Sequence, residues 1–273
     1  DSTPGSAYGD ATDKTLDVKP PSLFHRLASV WFRHVRVYSR NLISNALPPF
    51  LEPLVFLVGI GLGLGQYIDQ MQGAPYLQYL GSGLLVTAAM FTAAFECTFG
   101  TFIRLDFDKV YEGMIASPIT AHNLIVGEIL WAGTKGLVFS TSVSLIVVGF
   151  GILPWYTLLI APLGGFLTGL LFGSLGMLIT SFVKTINHFT FFFSGFLSPM
   201  FFFSGVVFPV ENLPEIVRPI SEALPLTHPV RLVRSVALGN WDPILWWDIT
   251  YIVLFIGIVG MLGVMRLKKR IID

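Results

Sequence analysis

The chain has 273 residues, of which 53% are hydrophobic and 12% charged, with a mean hydropathy of +0.70 and a formal net charge of zero. So little polar surface cannot solvate a globular exterior, so lipid must supply much of the solvent, and no nucleic-acid partner is expected. At roughly 20 apolar residues per membrane helix, the length accommodates about six spans with short connections and no second soluble domain.

Residues 1–22 are polar and rich in Pro, Gly, Asp and Thr, without a basic stretch leading into an apolar one. They do not read as a signal peptide, and a flexible cytoplasmic tail is expected. Over residues 23–42, Leu23, Leu27, Val30, Trp31, Val35 and Tyr38 recur near helical period, while His25, Arg26, Arg33, Arg36 and Arg40 supply positive charge. This pattern predicts an amphipathic helix lying on the membrane surface, its basic face toward anionic lipid.

A first span is predicted from about Ser44 to Leu64, with Pro48, Pro49, Glu52 and Pro53 near its start. The second covers about Tyr79 to Thr101, and the charged stretch from Arg104 to Glu112 that follows reads as too polar for hydrocarbon. Spans near Leu124 to Phe150 and Leu158 to Phe182 are separated by a tight turn at Gly151, Pro154 and Trp155, which makes them antiparallel neighbours. A fifth apolar stretch, Ile186 to Phe208, is divided by Gly195 and Pro199. From 209 to 243, Pro214, Pro219, Pro225 and Pro229 break the chain into short amphipathic pieces, read as re-entrant or interfacial helices. The last span, about Ile244 to Val264, ends on Arg266, Lys268, Lys269 and Arg270.

Six Lys and Arg residues precede the first span and four follow the last, so both termini are assigned to the cytoplasm, which requires an even number of crossings. Arg218, Arg231 and Arg234 then fall on the outer side against the positive-inside rule, and acidic neighbours and burial in a folded hairpin are expected to offset them. The fold class is therefore an all-α polytopic membrane protein.

Several chemistries are excluded by spacing. Gly59, Gly61, Gly63 and Gly65 end a span rather than follow a strand, and no G-x-x-x-x-G-K-[ST] occurs, so ATP phosphates have no P-loop. His188 and Ser194 lie six residues apart, on different faces of one helix, and do not form a nucleophile and base. Cys97, the sole cysteine, reads as a small core residue. The stronger signal comes from Glu96, Glu128 and Lys135, because an ionisable residue costs at least ~2.5 kcal/mol at the bilayer centre and normally faces protein or a water-filled path. Glu96 and Lys135 are expected to line or brace the inner part of a pathway, as a pair.

Two stretches carry a family resemblance. One runs Tyr111-Glu112-Gly113-Met114-Ile115-Ala116-Ser117-Pro118-Ile119 to Gly127-Glu128 and Trp131-Ala132-Gly133-Thr134-Lys135. The other runs Ser198-Pro199-Met200-Phe201-Phe202-Phe203-Ser204-Gly205 through Phe208-Pro209 and Leu213-Pro214 to Leu224-Pro225-Leu226-Thr227-His228. In these the chain resembles the permeases of type-2 ABC exporters, most closely the NodJ-like branch associated with lipooligosaccharide export.

The resemblance implies a permease domain over 23–273 in the bacterial inner membrane, working as a homodimer with an ATPase subunit that binds ATP and Mg, and no cofactor in this chain. It also implies an interface helix at 23–42, a cytoplasmic coupling segment at 102–122 and outer re-entrant helices at 209–243. Arg104, Asp106, Asp108, Tyr111 and Glu112 would meet the ATPase, while Glu96, Glu128, Trp131 and Lys135 would line or brace the pathway. The cargo implied is an amphiphilic glycolipid, lipooligosaccharide or polysaccharide. The 24 Phe, 8 Tyr and 6 Trp could offer flat faces to sugar rings, although aromatic residues also fill membrane cores. A drug or antibiotic efflux permease is the alternative. An ion-coupled secondary transporter is a weaker one, for want of paired repeats and broken helices.

Overall fold

The computed structural model describes residues 21–40, 51, 54–116 and 119–272. Residues 1–20 of the expected tail, and the start of the first expected span with Pro48, Pro49, Glu52 and Pro53, lie outside them. With no water in hydrocarbon to satisfy backbone groups, the apolar segments must close their hydrogen bonds within themselves, and they do so as helices. In chain order these are α1 (Leu23–Arg40), α2 (Leu54–Gly65), α3 (Tyr76–Phe107), α4 (Val110–Ile115) and α5 (Ala121–Gly149). They continue with α6 (Thr157–Phe182), α7 (His188–Phe203), α8 (Arg218–Ala223), α9 (Thr227–Leu238) and α10 (Ile244–Ile272).

A two-stranded hairpin between α2 and α3 pairs Gln70 with Pro75 and Met71 with Ala74. Its two-residue loop, Gln72 and Gly73, has positive φ at both positions, the geometry that matches strand twist. This hairpin was not anticipated from the sequence, which offers only a two-residue apolar and polar mix on either side of the turn.

Four of the described helices are long and apolar enough to cross a membrane: α3, α5, α6 and α10. The apolar window of α3 is 78% buried and that of α10 only 28%, so α3 is the central post and α10 lies on the perimeter. Around α3, the helices α5 and α6 form the antiparallel pair expected from their short connection. Their contact is backbone on backbone. A Cβ on Gly169 would sit 2.7 Å from the Ala132 carbonyl and 2.8 Å from Gly133 Cα, so only glycine admits this approach.

Two expected spans differ from the sequence reading. The second does not end at Thr101: its helix runs to Phe107, with π-helical turns at Glu96–Gly100 and Ile103–Phe107. Arg104 stays in the helix because carboxylates receive it on the protein side. The fifth apolar stretch forms the helix His188–Phe203, and its 16 residues reach only ~24 Å at ~1.5 Å each, short of a ~30 Å hydrocarbon core. Gly205, at φ +79, then turns the chain away.

At the end of the bundle that carries the hairpin, the region 209–243 is broken into a 3₁₀ turn at Val210–Asn212, α8 and α9. Of the three arginines expected on the outer side, Arg231 and Arg234 are bonded into the fold there, while Arg218 stays exposed. Arg218 Nε donates to the Leu213 carbonyl at 2.9 Å. Arg231 donates to both oxygens of Glu222 at 2.8 and 3.0 Å, and to both of Asp248 at 2.9 and 2.6 Å. Burial works against the Arg231 charge, but these bonds outweigh it and hold its pKa above the ordinary arginine value. Arg234 is buried over the Tyr79 ring, 3.6 Å from its centroid, and donates to Ser82 Oγ and to the carbonyls of Tyr79, Gly205 and Val206.

At the opposite, basic end, α10 continues through Arg266 and Lys268 rather than stopping at Val264. Arg270 caps α6 by donating to the Thr180 and Val183 carbonyls at 2.7 and 2.6 Å, and it reaches Asp106 at 2.6 Å.

The α5–α6 contact generates a first prediction. Gly169→Ala is expected to destabilise the detergent-solubilised protein by ~1–3 kcal/mol, as overpacking does. Gly257→Ala, whose new methyl would meet nothing within 4 Å, serves as control. Thermal midpoints read by intrinsic fluorescence decide, and equal midpoints for the two variants contradict the backbone contact.

Candidate functional site: a buried chain of charges

Five ionisable side chains meet where α1, α3 and α5 converge near the basic end. The inward stripe of α1 is Leu27, Val30, Trp31, His34 and Tyr38, at helical spacing. It lies against the start of α5 because Gly127 has no side chain there; a Cβ on Gly127 would meet Val30 Cγ1 at 2.7 Å. Trp31 Nε1 donates to Thr134 Oγ1 at 2.9 Å and fixes the register of the two helices.

The π-helical turns of α3 set the other half. In a regular α-helix residues eight apart point ~80° from one another, and the wider π turns close that angle. Glu96 and Arg104 thus face the same side and pair at 2.8 Å through Glu96 Oε1. The other oxygen of Glu96 receives Lys135 Nζ at 2.8 Å. Arg104 Nη2 reaches Glu128 Oε2 at 2.7 Å, and Glu128 Oε1 bonds His34 Nε2 at 2.9 Å. The result is a linear chain in which signs alternate: Lys135, Glu96, Arg104, Glu128, then the His34 ring.

Aromatic groups enclose this chain. Trp131 stacks on His34 with ring centroids 5.3 Å apart, and the Tyr38 ring lies 5.6 Å from Lys135 Nζ. Arg104 Nε makes a long bond of 3.4 Å to the Tyr111 hydroxyl. Tyr111 is itself buried, and burial, with Glu128 adding to it, pushes its phenol well above the ordinary value, so it stays a neutral hydroxyl. Burial also raises Tyr38, with Glu96 contributing.

Glu96, Glu128, Trp131 and Lys135 are thus brought to one place. Arg104 and Tyr111, which the sequence placed among outward contacts of a coupling segment, belong to the same buried group. Asp106 is committed to Arg270. Asp108 and Glu112 are exposed, with Lys109 Nζ 3.5 Å from Glu112. Lys109 has positive φ and makes the bend between α3 and α4. His34 was missed; its signal is its place on the stripe of Val30 and Tyr38, one helical turn from each.

His34, Glu96 and Glu128 offer donor atoms within 4.8 Å of one another, as a metal site would. Their chemistry does not fit a metal ion, because Arg104 already sits between the two carboxylates and Lys135 holds the remaining oxygen of Glu96. What the arrangement can do is tie three elements together: displacing α1, the end of α3 or the start of α5 breaks a charged hydrogen bond.

Comparison with known proteins places these residues in a family context. The model of the ABC-2 type transporter family matches residues 25–238, a range that includes all five members of the charge chain. The chain is 32% identical to nodulation protein J of Sinorhizobium fredii over 245 residues, 90% of this chain and 94% of that protein. Nodulation protein J of Rhizobium meliloti is 32% identical over 212 residues, 78% of this chain and 81% of the relative. The inner membrane transport permease YadH of Escherichia coli is 24% identical over 177 residues, 64% and 68% of the two chains.

Removing either Glu96 or Lys135 alone leaves the buried set with an uncompensated charge, at a cost of ~3–5 kcal/mol, whereas removing both leaves a smaller neutral set. Glu96→Gln and Lys135→Met should therefore each lower stability more than the double change does, since the double variant keeps Arg104 paired with Glu128. Additive losses in a double-mutant cycle of thermal or denaturant stability would show that the pair is not coupled.

Proposed function

Because the chain belongs to the ABC-2 type transporter family, as a NodJ-like permease, we propose that it exports an amphiphilic glycolipid, lipooligosaccharide or polysaccharide across the bacterial inner membrane. In this reading a separate ATPase chain binds ATP and Mg and supplies the energy of hydrolysis. Two copies of the permease form the path, and the basic end, with both termini, faces the cytoplasm. The Lys and Arg residues flanking the first and last spans support that orientation. The cargo class rests on the resemblance to the NodJ-like branch.

One observation carries the mechanism. The bend and short helix after α3 present Asp108, Lys109 and Glu112 to solvent, while Arg104 of the preceding turn is tied inward to Glu96 and Glu128 and bonds the buried Tyr111 of the short helix. A partner that grips the exposed charges therefore pulls on the buried chain, and through it on α1 and α5. Exposed Phe107 adds an apolar handle beside these charges. The ATPase contacts are accordingly Asp108 and Glu112, with Arg104 and Tyr111 carrying the motion inward.

Reversing both exposed charges, Asp108→Lys with Glu112→Lys, should cut ATP-driven export by about tenfold or more, ~1.4 kcal/mol in coupling or assembly. Stability should stay within ~0.5 kcal/mol of the parent, as for other exposed sites. Export into inverted vesicles and co-purification of the ATPase measure the effect, and wild-type export with normal assembly would reject the coupling role.

A further inference from the structure

A cavity of about 340 Å³ opens at the hairpin end, away from the charge chain, between the Gln72 turn, the Ser204–Glu211 segment and α9. That volume lies in the range of small-molecule sites. Its floor is Arg234, a buried guanidinium held by neutral acceptors, the Ser82 hydroxyl and three backbone carbonyls. Beside it Ser204 is buried at 1% exposure, and its Oγ has no hydrogen-bond partner. A hydroxyl buried without a partner is a standing cost, which a ligand hydroxyl reaching it would remove.

The walls present polar groups of both kinds, and their charges are already engaged. Arg231 is shared between Glu222 and Asp248. Glu211 accepts from Gln72 Nε2 at 2.9 Å, and Asp242 accepts from the Ile244 amide at 2.9 Å. An anion entering here would face Glu211 and Asp242, and a cation would face Arg231 and Arg234. A neutral ligand rich in hydroxyls meets no such opposition, because each hydroxyl both donates and accepts. Asn240 offers two donors and an acceptor at the rim. Next to it Trp241 is 78% exposed, and its ring supplies a flat apolar face.

We propose that this cavity is a saccharide-binding site, with Trp241 as the stacking platform and Ser204, Asn240 and Gln72 as the groups that read ring hydroxyls. A pyranose ring has one apolar face and a belt of hydroxyls, the same division of surface as the cavity and its rim. The assignment stands on the walls themselves. Only its identification with the sugar part of an exported cargo, received at the far side of the membrane, rests on the export reading.

The test uses the purified permease in lipid nanodiscs without any ATPase. Methyl β-glucoside and cellobiose are titrated, with inorganic phosphate as the anion control, and binding is read by saturation-transfer NMR and tryptophan fluorescence. Saturable binding of the sugars is expected, with no competition from phosphate. Trp241→Ala should weaken it about tenfold or more, and Trp241→Phe should retain most of it. Ser204→Ala should weaken it about fivefold, one hydrogen bond's worth, without lowering the thermal midpoint, since the hydroxyl has no partner to lose. The proposal is overturned if neither sugar binds saturably, if phosphate displaces the sugar, or if Trp241→Ala leaves affinity unchanged. Sugar binding that persists in a protein showing no ATP-driven glycan export supports the cavity and rejects the export reading, so the two failures are distinguishable.

Discussion

The contact on which the basic end depends is Arg104 between two carboxylates. Glu96 and Glu128 come from different helices and would repel each other out of water, and Arg104 bonds both at 2.8 and 2.7 Å. Lys135 supplies the second positive charge, so the four fixed charges of the chain sum to zero. Zero net charge is what makes burial tolerable, because isolated charges are strongly disfavoured while alternating, hydrogen-bonded ones roughly break even. The same contact explains the shape of α3. Its π-helical turns are a local cost, and they are kept where they aim Glu96 and Arg104 at one target.

The hairpin end solves a related problem with different means. Arg231 is neutralised by Glu222 and Asp248, and His228 joins them through a 2.7 Å bond to Asp248. Arg234 has no carboxylate bonded to it and is held instead by carbonyls, a serine hydroxyl and the face of Tyr79. Burial accordingly pulls its pKa below the ordinary arginine value, with Tyr79 opposing. Neither guanidinium is available to lipid headgroups.

How much of this was legible depended on whether a residue's partner could be guessed from the same element. The antiparallel α5 and α6 were readable from the short Gly151 to Trp155 turn, and the broken character of 209–243 from its prolines. Glu96, Glu128 and Lys135 stood out because charge in an apolar run needs a partner. Arg104 reads as part of the polar stretch after the second span, and its bonds to Glu96 and Glu128 are not legible there, since one-dimensional hydropathy cannot tell an arginine leaving the membrane from one turned toward buried glutamates. His34 escaped notice for the converse reason: on a basic surface helix one more polar residue carries no signal, and only its partner Glu128, 94 positions away, reveals it. Asp248 was likewise invisible within the last span, because Arg231 and His228 reach it from α9.

α3 links the two polar ends. Tyr79 and Ser82 in its first turns hold Arg234, and Glu96 and Arg104 in its last turns hold Lys135 and Glu128 of α5, which in turn bonds His34 of α1. Between them the helix is regular from Tyr76 to Phe95 and is buried along most of its length. A packed helix of this kind shifts as a unit, since its neighbours leave no room for it to bend. The π-helical segments lie only on the basic side of that regular stretch. Rotation at the Arg104 end can therefore be taken up locally by the wide turns, whereas translation along the axis must be carried to Tyr79 and Ser82. On the proposed reading that a partner pulls on the exposed Asp108 and Glu112, axial displacement is the component that reaches the Arg234 floor of the hairpin end.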